Sequence, residues 1–246
     1  MPNEIMWRAE ELRCSFFVTD SDAVPSDSWQ SVVGLPPETT ISRPREAVSQ
    51  EVGVLSWPEP AELILKREPF RVDWFLRPMD ANPLGLPQIL PGLPFPEVGH
   101  RLLELLDPWL KLGLPIHRVA IATRLVVQVE SLDSARDLIQ PRLEFKLPSY
   151  LKDFLYRRNE PIASKALADG RGINRIITWS VATRELSVMA LAQGQQKSRT
   201  YTVASLETDF NTTPGIKQPL SAESTRAVLS ELLGLTYTVA LGGHNG

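Results

Sequence analysis

The stretch His117–Glu130, HRVAIATRLVVQVE, decides how the rest of the chain is arranged. Val119, Ile121, Thr123, Leu125, Val127 and Val129 fall on one side of a period-two pattern. Arg118, Ala120, Ala122, Arg124, Gln128 and Glu130 fall mostly on the other. One face is core, and the other is a lined polar surface carrying two arginines. A strand of this length needs partners on both edges and a layer beneath it.

Working backwards, Glu97–Leu112 places Leu102, Leu103, Leu105, Leu106, Trp109 and Leu110 at helical spacing. Asp107-Pro108 either kinks this helix or caps a second short one, and Gly113 and Pro115 close it. Asp80–Pro96 holds five prolines among its 17 residues and is a connector. Before it lies a hairpin: Glu62–Lys66, a turn at Arg67-Glu68-Pro69, then Phe70–Arg77 with Phe70, Val72, Trp74 and Leu76 on one face. Val52–Trp57 is a short strand, and Glu11–Thr19 another. Asp20–Gln50, rich in Ser, Pro, Asp and Thr, shows no sustained period and is expected to be a long excursion.

Working forwards, Ser131 and Asp133 cap a helix that Pro141 stops, and Tyr150–Arg158 is expected as another short helix. Ile173–Ser180 and Glu185–Leu191 are expected as a second hairpin with Val181–Arg184 as its turn, followed by a long strand at Thr200–Thr212. Ser221 caps a helix up to Gly234, and periodicity leaves Leu235–Leu241 open between strand and helix. Antiparallel hairpins with helices between groups predict an α+β fold, its helices packed on one face of antiparallel sheet. The expected organisation is one domain, 1–246, of two hairpin–strand–helix halves (1–131 and 132–246) with loop-rich excursions at 20–50 and 80–96. No residue-level repeat accompanies that plan.

Bulk composition narrows the function classes. Hydrophobic content of 43%, charged content of 22% and net charge −3 describe an ordinary globular protein without the basic footprint of a nucleic-acid binder. No apolar run reaches the roughly 18 residues of a membrane span, so a cytoplasmic protein is expected. Cys14 is alone, so it forms no internal disulfide and no thiolate metal site, and its apolar neighbours make it a buried thiol. The histidines His100, His117 and His244 lack ligand spacing, and no serine sits in a nucleophile elbow. No metal or cofactor is expected.

Four patterns remain as candidate chemistry. Glu207, Asp209 and Asn211 share one strand face and can hold a cation or supply a base; a solvent-facing strand edge has the same pattern. Glu144-Phe145-Lys146 has the E-x-K spacing of metal-dependent nucleases, with Asp133 and Asp137 upstream on a helix; a plain link between helices reads the same way. Asp169-Gly170-Arg171-Gly172 precedes a strand and is a turn, since a phosphate-binding glycine loop would open a helix. Arg118 and Arg124, six apart on one face, can receive an anion with Asn211 or pair with cross-strand acids.

The motifs Arg118-Val119-Ala120-Ile121 and Asp209-Phe210-Asn211-Thr212 follow a leucine-rich helix in that order, within roughly Glu97–Leu233. In this the chain resembles a group of uncharacterised, sporadically distributed bacterial proteins with an arginine-bearing central strand and a late Asp-x-Asn-Thr strand. Ala122 and Thr123 stand where that group tends to have arginine and an aromatic. The resemblance implies a bacterial accessory protein near mobile-element or defence genes and brings no activity with it.

The leading expectation is thus a non-enzymatic protein acting through a protein partner or a second copy, docked on Trp29, Val32 and Leu35 of the excursion. The alternatives are a metal-dependent phosphoesterase or nuclease using Glu207 and Asp209, and a sensor of a small anionic ligand using Arg118, Arg124 and Asn211.

Overall fold

The computed structural model describes residues 6–56, 59–79, 92–150, 153–190, 195–215 and 218–242, with backbone only at Glu46, 186–190 and 195–199. The period-two stretch around Val119 lies at the centre of one antiparallel sheet, among the described residues ten-stranded. The chain opens with β1 (Arg8–Val18), a short helix α1 (Ser28–Val33) and a meander of β2 (Thr39–Arg43), β3 (Val48–Leu55), β4 (Ala61–Glu68) and β5 (Arg71–Pro78). A two-residue strand β6 (Leu93–Pro94) and the helix α2 (Glu97–Leu110) follow. Then come β7 (Ile116–Val129), a short helix α3 (Leu132–Ile139), the meander β8 (Phe154–Ala163), β9 (Gly172–Ala190) and β10 (Gln195–Thr212), and the helix α4 (Ala222–Ala240).

The strand order is β2-β3-β4-β5-β1-β7-β10-β9-β8, with β6 paired to β1. Each half therefore runs strand, short helix, meander returning to that first strand, long helix. The antiparallel β1–β7 pair joins the halves, with Cys14 opposite Ile121 and Phe16 opposite Val119. The link between these two groups of elements is residues 111–115, after α2. The coarse class, α+β with antiparallel sheet, stands; the sheet is the larger element and its edge strand β2 is exposed throughout.

Alternation explains the core. Leu12, Cys14 and Phe16 of β1 lie in register with Leu76, Trp74 and Val72 of β5, and all are buried. Val119, Ile121 and Leu125 of β7 continue that face onto Leu206 and Phe210 of β10. Val127 and Val129 are half-buried against the same cluster. Helix α2 adds Leu102, Leu106 and Trp109, and α4 adds Val228, Leu229 and Leu232. The two helices touch closely at Gly99, where a Cβ would stand 2.6 Å from Leu233 Cδ1. Pro108 sits inside α2, in its last turn, so Asp107-Pro108 starts no second helix. Ser221 accepts a hydrogen bond from Ser224 N, and α4 continues unbroken through Gly234, which makes 235–240 helical.

Several expectations are corrected. Tyr150–Arg158 is not a helix: β8 begins at Phe154, and its ten residues alternate half-buried and exposed. The basic residues had masked that alternation. Pro161 is tolerated there because β8 is an edge strand. Val181–Arg184 is no turn either, since β9 runs through it in register with β10. The β4–β5 turn is Pro69-Phe70, with Phe70 at φ 60° and exposed, not Arg67–Pro69. Asp20–Gln50 is no excursion: it supplies α1, β2 and the start of β3. Residues 80–91 of the second expected excursion, and most of the Gly-Gly-His-Asn-Gly tail, lie outside the described residues. Among the described residues no helix is long and apolar enough to cross a membrane.

Candidate functional site

In-register partners project to the same side of an antiparallel sheet, so the residues between the core positions form a second, polar face. One row across it reads Glu11 of β1, Arg124 of β7, Glu207 of β10, Thr178 of β9 and Arg157 of β8. Charges of opposite sign neighbour one another along the first three. Arg124 Nε donates to Glu207 Oε1 at 3.0 Å, with both side chains half exposed. Glu11 is paired from the other side by Arg77 of β5, Nη2 to Oε2 at 2.7 Å.

The next row holds Arg13, Ala122, Asp209 and Ile176 side by side on β1, β7, β10 and β9. Ala122 is the small member, and above it the face dips into a cleft of about 270 Å³ lined by both rows. That size is just below the roughly 300–1,000 Å³ of ligand pockets, so only a small ligand fits. Arg13 stands over the Phe75 ring at 5.8 Å, on the side away from Ala122. It forms no hydrogen bond or ion pair with any described residue, and its Nε is buried without a partner. Arg157, exposed on the edge strand, is likewise unpaired among the described residues. Asp209 accepts one hydrogen bond, from Asn211 Nδ2 at 3.1 Å.

The sequence-predicted residues divide around this cleft. Glu207, Asp209 and Arg124 line it. Arg118 and Asn211 do not; they engage each other, with Arg118 Nη2 donating to Asn211 Oδ1 at 2.9 Å and Arg118 Nε to the Thr212 carbonyl at 3.1 Å. Arg118 also covers the Phe17 ring at 4.6 Å. Burial lowers its pKa, the charge of Asp209 opposes this, and the charge of Arg71 adds to the lowering. The predicted anion site is therefore occupied at its Arg118 end by the protein's own groups. Glu207 is tied to Arg124, and among the described residues no three His, Cys, Asp or Glu side chains converge as metal ligands. Glu144 and Lys146 lie on an exposed loop, where Glu144 takes a 3.4 Å contact from Arg158. Cys14 is fully buried, and desolvation, helped by Asp73, raises its pKa to about 12.

Trp29 and Val32 are buried in the chain's own core, at 2% and 9% exposure, so two of the three residues expected to dock a partner are not available; Leu35 is exposed. Periodicity had missed Arg13 and Arg157. Arg13 alternates visibly against Leu12 and Cys14, but its meeting with Asp209 across β7 depends on strand order, which no local pattern carries. Arg157 was lost with the helix wrongly expected at Tyr150–Arg158.

No protein-family profile, no curated protein and no solved structure matches the chain.

Proposed function

We propose that the protein is a non-enzymatic binding protein whose sheet cleft takes up a small ligand through an anionic group. The observation carrying this reading is Arg13, a partly buried guanidinium on a central strand that lines the cleft, feels the Glu68 charge only at a distance and forms no hydrogen bond or ion pair with a described residue. Removing a charge from water without a partner is costly, and a bound anion supplies the missing counter-charge. Its stacking on Phe75 is worth only about 0.5–1 kcal/mol and leaves the donors available.

Two neighbouring features support a receptor over a catalyst. Glu207 and Glu11, the carboxylates nearest the cleft's long row, each hold an arginine and so are poorly placed to accept a proton or a cation. The strand backbones beneath are paired with one another and offer no nest of free N–H groups of the kind phosphate sites use. A planar carboxylate, which one guanidinium can grip with two parallel bonds, is the anion that suits a lone arginine.

The test is calorimetric titration of the purified chain with small carboxylates, amino acids and inorganic phosphate. Binding that Arg13→Gln weakens at least about tenfold is expected, the equivalent of one charge-assisted bond. Carboxylate binding untouched by Arg13→Gln would place the ligand elsewhere.

A further inference from the structure

We infer that the ligand is a zwitterion of the α- or β-amino acid class, its carboxylate held by Arg13 and its ammonium by Asp209 across the floor made by Ala122. This rests on the binding reading above and adds the second charge and the spacing.

The register supplies the geometry. Arg13 and Asp209 are both cross-strand partners of Ala122, one from each side, so they flank a single alanine on the same face. Strands two apart place their backbones roughly 9.6 Å from each other. Side chains standing straight up from that face keep roughly this lateral spacing, which two charge-assisted hydrogen bonds and a ligand with neighbouring opposite charges can span. Arg13 Cζ lies 5.8 Å from the Phe75 ring centroid, so its head leans away from Asp209 and swings back over Ala122 to share a ligand with it.

The charge inventory points the same way. Three arginines and three carboxylates line the cleft, so it is matched to a ligand bearing both signs and not to a strong anion. Within that inventory Arg124 and Glu207 hold each other, and Glu11 is held by Arg77. Asp209 keeps acceptor capacity, because Asn211 Nδ2 engages only Oδ1. Arg118 interacts with Asp209 through its charge but directs its hydrogen bonds to Asn211 and the Thr212 carbonyl. An opposed pair of unlike charges, held apart over a small residue, is what an amino acid's backbone requires. Arg157 adds a third open group at the far wall, so aspartate and glutamate belong in any panel tested.

The experiment is titration calorimetry with the common α-amino acids and β-alanine, each beside its N-acetyl and its amide derivative. At least one free amino acid is expected to bind, and blocking either end should weaken it at least about tenfold. Asp209→Asn, which preserves shape and can still accept from Asn211, should weaken the free amino acid to the same degree and leave its N-acetyl form unchanged. Ala122→Phe should abolish binding by filling the floor while melting stays as in the parent. If N-acetyl derivatives bind as well as free amino acids, the anion reading survives and the zwitterion is overturned. If nothing binds in an Arg13-dependent way, both are overturned. Should Asp209→Asn fail to fold, the chemically blocked ligands decide alone.

Discussion

Trp29 stacks on Trp74, ring centroids 6.1 Å apart and planes inclined by 22°. Trp74 meets Trp109 edge-on at 6.2 Å, and Trp109 meets Phe16 at 4.7 Å, so one aromatic chain links α1, β5, α2 and β1. Trp29→Ala should therefore cost about 3–5 kcal/mol of unfolding free energy, as large-to-small changes of buried aromatics do. Gly53→Ala should also destabilise, because its Cβ would stand 2.7 Å from the Trp29 ring. Urea unfolding of both variants checks this; a Trp29→Ala midpoint equal to the parent's would mean that α1 is not part of the core.

That ring contact shows where the sequence was legible and where it was not. The long strand around Ile121 and the α2 and α4 helices carry enough residues for periodicity to identify them, and Ser131 and Ser221 cap helices as their side chains allow. Six-residue α1 and five-residue β2 are too short for a period, and tertiary contacts order that region: Trp29 docks on Trp74, β2 pairs with β3, and β3 pairs with β4. In β9 the apolar alternation of Ile173, Ile177 and Trp179 gives way to Ala182, Thr183 and Arg184, which reads as a turn although the ladder with β10 continues. The cleft failed for another reason: Arg13, Ala122 and Asp209 are neighbours only through strand order, and strand order is a global property of the chain.

A hydroxyl ladder crosses the core from sheet to helix. Thr123 Oγ1 lies 2.9 Å from Thr208 Oγ1, Thr208 lies 3.3 Å from Thr236 Oγ1, and Thr236 donates to the Leu232 carbonyl at 3.1 Å. Thr208→Val leaves the buried Thr123 hydroxyl without its partner and should cost about 1–3 kcal/mol. Adding Thr123→Val removes the orphan, so the double variant should be more stable than Thr208→Val alone. Additive losses in a double-mutant cycle would show that the hydroxyls do not act together.

Cys14 should be inert to a thiol reagent in the native protein and react only on unfolding, because burial and then the Asp73 charge push its pKa up to about 12. A pKa raised in the folded state gives stability that is present below the unfolded thiol value of about 8.5 and lost as pH rises through the folded one. Stability should therefore fall between those limits, and Cys14→Ser or Cys14→Ala should flatten that alkaline decline. Rapid native labelling at neutral pH would contradict the burial.

Glu68 predicts the opposite limb. The hydrogen bond from Lys66 lowers its pKa, against a smaller opposing effect of burial, and Arg71 and Arg13 add to the lowering. A depressed carboxylate gives stability that is present above its unfolded value of about 4.3 and lost as pH falls through the folded one. Both side chains are about one-third exposed or less, at 33% and 29%, so the contribution stays within about 0–1 kcal/mol. Urea midpoints taken downward from neutral pH should fall more gently below about pH 4.3 in Glu68→Gln than in the parent. Parallel acid limbs would show that the pair adds nothing.

Glu231 of α4 anchors the link that joins β8 to β9. Its carboxylate accepts from Ser164 Oγ at 2.7 Å, from Lys165 N at 2.7 Å and from Ala166 N at 3.1 Å, gathering three donors of one turn onto one helix. The turn is otherwise held through Ser164, whose N bonds the Arg171 carbonyl and whose Oγ accepts from Ala166 N and Leu167 N at 3.2 Å, and by Leu167, the buried apolar residue at its end. Glu231→Ala removes all three acceptor contacts at once. Because the site is partly exposed, water can replace them, and the global loss should be about 1–2 kcal/mol, short of unfolding. The local effect should be larger, since the Lys165 amide loses its acceptor, Ala166 keeps only Ser164 Oγ, and Ser164 itself loses the carboxylate that fixes its hydroxyl. Hydrogen exchange is the measurement: amides 165–167 should exchange faster in Glu231→Ala while those of β7 keep the parent's rates, and Glu231→Gln, which retains an acceptor oxygen, should fall between. Equal acceleration in β7 would mean that Glu231 supports the whole sheet and not this turn.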